Sequence, residues 1–173
     1  MEYIHKIKSL VGVLTVSSDG ENISGLWIEG QKYFANTLGK DVLEQNLSIF
    51  ENIQKWLDIY FSGKEPDFMP PLKPRGTPYQ KLIWDALCKI PYGHTTSYGK
   101  LAKQFELQHE GRHTSARAIG SAVGHNPISI LIPCHRVIGQ NNNLTGYAGG
   151  IDKKMKLLKL EGINTLNMSR EKI

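Results

Sequence analysis

A proline-rich stretch in the middle of the chain limits its possible folds more than any other feature. Five prolines lie between Glu65 and Pro78, and the stretch has little hydrophobic periodicity. This composition favours an extended linker over a helix or a central strand. At 173 residues the chain is long enough for two small domains. We therefore predict an N-terminal domain over residues 1–64, a linker over 65–76 and a C-terminal domain over 77–173.

The segment before the linker has the pattern of strands followed by a helix. Residues 11–16 and 23–34 have strand composition, and the Asp19-Gly20 turn between them indicates a hairpin. Apolar residues at helical spacing then predict a helix that is capped by Asp41 and reaches Phe61. Together these elements predict a small α/β domain.

Three helices are predicted directly after the linker. The first is capped by Thr77, reaches Ile90 and carries Cys88 on or near its apolar face, where a thiol normally serves packing. Residues 97–105 and 115–123 form two shorter helices, the second of which is capped by Thr114. Two short helices joined by a turn indicate a helix-turn-helix.

The second helix of this pair has an almost smooth surface, with Arg117 as its long side chain. A helix that reads bases in the major groove carries several Asn, Gln, Arg or Lys side chains, whereas a smooth helix can enter the minor groove. Tight packing between helices explains the same pattern equally well. The net charge of +5 is compatible with a polyanionic partner without establishing one. The small residues are Ser115, Ala116, Ala118, Gly120, Ser121 and Ala122.

Cys134 is followed at once by His135, within a largely apolar run. An ionised thiol is a strong nucleophile, and imidazole is the side chain best suited to take its proton near neutral pH. In an extended strand the two side chains would point to opposite faces, so cooperation needs a turn after Pro133 or a bridging water. Taken alone, such a pair is more often a buried and unreactive cysteine.

Nearby cations bear on the reactivity of this thiol. Arg136 and a group of lysines further along the chain would lower the pKa of Cys134 if they lie close to it. The lysines are Lys153, Lys154, Lys156 and Lys159.

A metal site is not expected. Residues 109–113 match H-E-x-x-H, a zinc protease motif, but Gly111 weakens the helix that this motif requires, and no convincing third ligand follows. Two cysteines are too few for a disulfide framework or for a four-cysteine zinc site. We therefore expect neither a metal nor another cofactor.

The N-terminus imitates a signal peptide only loosely. Lys6 and Lys8 precede an apolar stretch, but no small-residue cleavage site follows it. No stretch of the sequence approaches the length of a membrane span. We expect a cytoplasmic protein, because a single thiol stays reduced in that compartment.

The sequence around Cys134 resembles a known family. The run Pro133-Cys134-His135-Arg136-Val137, with Asn126-Pro127 before it and Gly146-Tyr147-Ala148-Gly149-Gly150 after it, is similar to the O6-alkylguanine-DNA alkyltransferases. The resemblance covers residues 77–162 and includes Pro91-Tyr92-Gly93, Ser97-Tyr98 and Arg117-Ala118-Ile119-Gly120. It implies an α+β protein, with a small ribonuclease-H-like α/β domain before a mainly helical domain that contains the helix-turn-helix. The N-terminal part matches only in its strand-strand-helix pattern.

The resemblance implies a DNA repair protein that reverses alkylation of guanine. Such a protein moves the alkyl group of O6-alkylguanine irreversibly onto its own cysteine, so each molecule acts once. The expected partner is double-stranded DNA, bound through the minor groove without sequence preference, with O4-alkylthymine as a further candidate lesion. The resemblance also implies a monomer that does not associate with membranes.

The same resemblance implies the roles of the site residues. Cys134 would accept the alkyl group, and His135 would act as the base through a water. Glu161 would orient His135, and Asn126 would connect the recognition helix to the active-site loop. Tyr98 would push the phosphate whose movement rotates the base outward.

The remaining roles concern the DNA and the flipped base. Arg117 would enter the stack where the guanine left, and Ala116, Ala118 and Arg136 would also contact DNA. Tyr147, the amide of Ala148 and Val137 would line the base pocket.

Two features depart from the common family pattern. Ala148 stands where many members have serine, so a hydroxyl contact is lost and the pocket is slightly wider. Residues 106–113 are longer than in the commonest members, which leaves the geometry of the turn open.

Three other functions would require different features of the sequence. A non-catalytic lesion binder of the alkyltransferase-like class would carry another residue, commonly tryptophan, in place of Cys134. A cysteine hydrolase using Cys134 and His135 would need an oxyanion hole and would give the helix pair no purpose. A transcription regulator would need base-reading side chains, which the second helix lacks.

Overall fold

The structure, a computed structural model, describes residues 1–170 and divides into two units. Unit 1 comprises Met1–Arg75 and the later segment Pro127–Leu131. Unit 2 comprises Gly76–Asn126 and the chain from Ile132 onward. No local pattern in the sequence anticipates that residues 127–131 belong to unit 1.

Unit 1 is built on a four-stranded sheet in the order β3-β2-β1-β4. β1 pairs antiparallel with β2, and β2 pairs antiparallel with β3. The Asp19-Gly20 turn joins β2 to β3, which confirms the predicted hairpin. β1 was not predicted, although it lies inside the sheet. The strands are β1 (Glu2–Ser9), β2 (Gly12–Ser18), β3 (Ile23–Ile28) and β4 (Val42–Glu44).

Two predicted boundaries in unit 1 are wrong. The second strand of the hairpin ends at Ile28 and not at Phe34, because Gly30, Tyr33 and Ala35 all have positive φ angles that a strand does not allow. The helix α1 spans Ser48–Phe61 and does not begin at Asp41. The residues just after Asp41 form β4, whose backbone pairs in parallel with β1.

The proline-rich segment is extended and follows one edge of the sheet of unit 1. The amide of Ile23 donates to the carbonyl of Pro71 at 2.8 Å, and the amide of Lys73 donates to the carbonyl of Ile23 at 2.8 Å. On the next part of β3, the amide of Leu26 donates to the carbonyl of Pro127 at 2.8 Å. Both segments therefore complete hydrogen bonds that an edge strand leaves open.

Unit 2 is mainly helical, and Trp84 is part of its buried core. The Trp84 side chain is almost fully buried, and its indole N–H donates to the carbonyl of Ala122 at 2.9 Å. This unit and the sheet of unit 1 together confirm the predicted α+β class. The helices are α2 (Pro78–Cys88), α3 (Tyr98–Gln108), α4 (Ala116–Gly124) and α5 (Ile151–Leu160), and short strands are β5 (Thr96–Ser97), β6 (Val137–Ile138), β7 (Asn143–Leu144) and β8 (Ser169–Arg170).

Side chains at the helix starts fix these boundaries. Thr77 caps α2, as the sequence predicts, and its hydroxyl accepts the amide of Gln80 in a capping box that was not predicted. Ser115, and not Thr114, caps α4, because the Thr114 hydroxyl is engaged with Tyr79 at 2.6 Å. The prediction that Cys88 lies on an apolar face is also wrong, since its side chain is exposed at the end of α2.

Within residues 1–170, none of the helices combines the length and the apolar character needed to cross a membrane.

Candidate active site

Cys134 begins a single 3₁₀ turn, Cys134–Arg136, directly after Pro133. Successive side chains of a 3₁₀ turn are separated by about 120°, so they do not point to opposite faces as in a strand. The structure therefore has the turn after Pro133, and not the extended strand that would separate the two side chains. Cys134 is only 6% exposed, so its thiol is largely shielded from solvent.

The His135 ring is held by a buried carboxylate. Its Nε2 donates to Oε2 of Glu161 at 2.5 Å, and both side chains are fully buried. Glu161 sits at the C-terminal cap of α5, and its Oε1 also accepts from Arg136 Nε at 2.8 Å and from the amide of Gly93 at 3.0 Å. The predicted contact between Glu161 and His135 is present.

Burial and hydrogen bonds together set the charges of this cluster. Burial alone would raise the pKa of Glu161, but hydrogen bonds from His135, Arg136 and Gly93 outweigh it and lower the pKa to about 2. Burial lowers the pKa of His135 in spite of the adjacent carboxylate. At neutral pH the ring is therefore neutral. Because Nε2 carries the proton donated to Glu161, Nδ1 is the basic nitrogen.

The thiol is less acidic than the sequence suggested. Burial raises the pKa of Cys134, and a hydrogen bond from Asn126 and the charge of Lys154 lower it only in part. Asn126 also donates through Nδ2 to the carbonyl of Ile132 at 2.9 Å, which ties the end of α4 to the segment before Cys134. The expectation that a nearby lysine would help to lower the thiol pKa is confirmed for Lys154, although burial outweighs this effect.

One of the four lysines has a role that the sequence did not reveal. Lys154 is fully buried, and its Nζ donates to the carbonyls of Val137 at 2.5 Å and of Thr145 at 2.8 Å. In the chain, the carbonyl of Val137 comes just after the Cys134 turn, and the carbonyl of Thr145 comes just before Tyr147. Lys154 therefore connects the two segments while its positive charge lies near the thiol. Burial lowers its own pKa to about 8.

Helical spacing would have singled out Lys154. It lies three and four residues before Leu157 and Leu158, which are both fully buried on the inner face of α5. Lys156 and Lys159 are exposed and Lys153 is half-buried, so only Lys154 shares the apolar face.

We expect Lys154→Met to move the ionisation of Cys134 to higher pH, because the charge that stabilises the thiolate is lost. The ultraviolet absorbance of the thiolate, followed over pH in a Cys88→Ser background, measures this shift. Lys153→Met on the same helix is the matched control. An unchanged titration in Lys154→Met would mean that the lysine acts only on the backbone carbonyls.

Arg136 is not where the sequence placed it. It was predicted to contact DNA, but the residue is 9% exposed and its Nε binds Glu161. Its Nη1 donates to the carbonyl of Ile90 at 2.7 Å, and its guanidinium lies over the ring of Tyr92, 5.7 Å from the centroid. An unpaired buried carboxylate at Glu161 would strongly destabilise the fold. This explains why Arg136 lies inside the protein and pairs with Glu161.

The exposed face of α4 keeps the smooth character that the sequence indicates. Ser115, Ala116 and Arg117 are exposed, whereas Ile119, Ala122 and Val123 are buried. The ring of Tyr98 packs against Gly120, where an added Cβ would lie 3.8 Å from it. Small residues thus serve helix packing on one side of α4 and leave Arg117 projecting on the other.

The residues predicted for the base pocket lie close together in the chain, with different exposures. Tyr147 is largely buried, Ala148 is half-buried and Val137 is fully buried. The Tyr98 hydroxyl donates to the carbonyls of Thr145 at 3.3 Å and Gly146 at 3.4 Å, next to this segment. In this structure Tyr98 is therefore a neighbour of the pocket residues.

The H-E-x-x-H residues do not share a helix. They begin at the C-terminal cap of α3, and Glu110 and Gly111 have positive φ angles. His109 packs on Phe105 with the ring centroids 4.3 Å apart, and His113 Nδ1 pairs with Glu106 at 2.8 Å. Among residues 1–170 the structure has no group of three or more side chains arranged to hold a metal ion.

Comparison with protein families gives two matches that together cover most of the chain. Residues 3–74 match the 6-O-methylguanine DNA methyltransferase ribonuclease-like domain. Residues 78–163 match the 6-O-methylguanine DNA methyltransferase DNA binding domain.

Individual relatives agree with these matches. A methylated-DNA–protein-cysteine methyltransferase of Methanosarcina acetivorans is 45% identical over 78% of this chain and 86% of its own length. One from Haemophilus influenzae is 40% identical over 94% of this chain and 88% of its own length. A crystal structure of Mycobacterium tuberculosis OGT in complex with DNA superposes with a TM-score of 0.81 at 40% identity, over 92% of each chain.

Proposed function

The chain belongs to the 6-O-methylguanine DNA methyltransferase family, and on this basis we propose that it repairs DNA by moving the alkyl group of O6-alkylguanine onto Cys134. The observation that carries the assignment to Cys134 is the buried arrangement around it. The thiol is followed by a neutral His135 whose Nε2 is fixed by Glu161 at 2.5 Å. This arrangement supplies a nucleophile and an oriented base in one turn of chain.

The thiol proton leaves first. His135 accepts it at Nδ1, through a water, and the imidazolium is stabilised by the carboxylate of Glu161. The thiolate sulfur then attacks the alkyl carbon, an S–C bond forms, and the C–O bond to the guanine breaks. Its electron pair remains on the guanine oxygen, and the base leaves as guanine once a proton is returned to it.

The reaction stops after one transfer because of the bond that it forms. A thioether has no carbonyl for water to attack, and its sulfur is a poor leaving group. The protein is therefore consumed stoichiometrically, like a reagent.

The DNA must deliver the base to this buried thiol. A guanine inside the duplex cannot reach Cys134, so it has to rotate out of the stack, which costs a few kcal/mol. The exposed Arg117 on the smooth face of α4 would fill the vacated position, and Ala116 and Ala118 would allow a close approach in the minor groove. Contacts of this kind do not depend on sequence, which suits damage that arises anywhere.

The extruded base would be received by the segment that contains Tyr147 and Ala148. The Ala148 amide and the Tyr147 hydroxyl are donors suited to the charge that develops on the guanine oxygen. Lys154 holds this segment through the carbonyl of Thr145. In this proposal Tyr98 lies at the edge of the pocket, and Asn126 lies next to the thiol. Such a reaction needs a reduced thiol, and thiols stay reduced in the cytoplasm, which supports a cytoplasmic location.

A non-catalytic lesion binder is the less favoured function. Relatives of that class lack the acceptor cysteine, whereas Cys134 is present here and is surrounded by a base, a carboxylate and a buried lysine. Such machinery has no use in a protein that only marks the lesion.

We expect Arg117→Ala to slow transfer from O6-methylguanine in duplex DNA by about tenfold or more, because nothing then replaces the extruded base in the stack. Transfer from a single strand should fall much less, since there is no stack to fill. Rates are measured with matched duplex and single-stranded oligonucleotides. Equal losses on both substrates would contradict the stack-filling role, and no transfer to the unaltered protein from either would contradict the function.

A further inference from the structure

Unit 2 contains a cavity of about 390 Å³ that the transfer chemistry does not use. None of the residues assigned to the thiol, the base pocket or the exposed face of α4 lines it. Its volume falls within the range of small-molecule sites. It is formed by the end of α2, the loop that follows, β5 and one face of α3, and its lining consists of Ala86, Lys89, Ile90, Pro91, His94, Thr95, Thr96, Gln104 and Gln108.

The polar side chains of this cavity form a set of donors without a carboxylate. Lys89 supplies a positive charge, Thr95 and Thr96 supply hydroxyls, and two glutamines one turn apart on α3 supply amides. Across residues 1–170, no protein group hydrogen-bonds to any of these five side chains. Neither aspartate nor glutamate is part of the described lining. A lysine with several neutral donors is the composition of a site for a phosphate group.

The backbone of the cavity wall is held by hydrogen bonds to residues that do not line the cavity. The carbonyl of Ile90 accepts from Arg136 Nη1 at 2.7 Å, and the amide of Gly93 donates to Glu161 at 3.0 Å. At the other end of the loop, Thr96 pairs with Val137 in the short parallel ladder of β5 and β6. His94 is fixed as well, through Nδ1 to the carbonyl of Tyr92 at 3.0 Å. These hydrogen bonds hold the backbone of the wall in place, whereas the side chains of Lys89, Gln104 and Gln108 are exposed to solvent.

From this cavity, its donors and the hydrogen-bonded backbone of its wall, we infer that unit 2 binds a phosphate group beside Lys89, at a site separate from the one that receives the alkylated base. Two sources carry this chemistry, a free phosphate and a phosphodiester of the DNA backbone. The inference concerns the phosphate group that both sources carry, and it does not depend on alkyl transfer.

Titration with inorganic phosphate, followed by the backbone amide signals of the full-length protein, tests the inference. We expect saturable shifts confined to residues 89–97 and to Gln104 and Gln108. Lys89→Gln should weaken the apparent affinity by about tenfold, because a charge-assisted contact is lost. Lys81→Gln, exposed on α2 and outside the cavity, is the matched control and should bind phosphate like the unaltered protein.

The affinity for undamaged duplex DNA then separates the two sources. A loss of DNA affinity in Lys89→Gln, absent in Lys81→Gln, assigns the site to a backbone phosphate. An unchanged DNA affinity together with weakened phosphate binding assigns it to a free phosphate. Shifts that do not saturate, or that remain the same in Lys89→Gln, would overturn the inference.

Discussion

Cys134→Ser is expected to abolish alkyl transfer, with a loss of more than about 10⁴-fold. A hydroxyl is far less acidic than a thiol, and the burial that raises the pKa of Cys134 would disfavour an alkoxide still more. Oxygen is also the harder and weaker nucleophile toward a saturated carbon. The rate is measured as loss of O6-methylguanine from a duplex oligonucleotide, with protein in excess.

The same variant should still bind DNA, because Cys134 lies away from the exposed face of α4 that carries Arg117. Retained binding shows that the fold has survived the substitution. Cys88→Ser is the matched control, since Cys88 is exposed at the end of α2, and it should transfer normally. Continued transfer by Cys134→Ser, or its loss in Cys88→Ser, would refute the assignment of the acceptor.

Glu161→Gln is expected to slow transfer by about 10²-fold. The amide cannot supply the negative charge that stabilises the His135 imidazolium, and it offers one acceptor oxygen where the carboxylate serves His135, Arg136 and the amide of Gly93. The Arg136 guanidinium would then be buried without a counter-charge, which typically costs about 3–5 kcal/mol of stability. Single-turnover rates at several pH values, together with unfolding curves, measure both effects.

The stability of the protein should also depend on pH through Glu161. Its pKa is lowered from 4.5 to about 2 on folding. Its contribution is therefore fully present above pH 4.5 and is lost as the pH falls toward 2, and it amounts to about 3 kcal/mol. The unfolding free energy of Glu161→Gln should lack this slope, whereas Glu51→Gln, exposed on α1, should retain it. Parallel curves for Glu161→Gln and the unaltered protein would contradict the low pKa.

Local sequence signals predicted those elements that local interactions build. The Asp19-Gly20 hairpin and the Thr77 cap are both present as predicted. Partners distant in sequence decide the elements that were missed or misplaced. β1 is a strand because β2 and β4 pair with it, and residues 42–44 leave the predicted helix because they pair with β1. No window of sequence contains that information.

The candidate site divides in the same way. The Cys134-His135 pair could be found because its two members are adjacent, and the family resemblance supplied Glu161. The pKa of the thiol could not be predicted from the sequence. Whether a cation lowers a thiol pKa depends on burial and on competing partners, and Arg136 turned out to be committed to Glu161. Lys154 was obscured by its lysine neighbours, although its spacing from Leu157 and Leu158 placed it on the inner face of α5.

Mass spectrometry of the protein after exposure to methylated duplex DNA tests the central claim most directly. We expect the intact mass to rise by one methyl group per molecule and to rise no further with more DNA. The added mass should lie on the peptide that contains Cys134. An unmodified Cys134 after the lesion has disappeared, or removal of more lesions than there are protein molecules, would contradict the account.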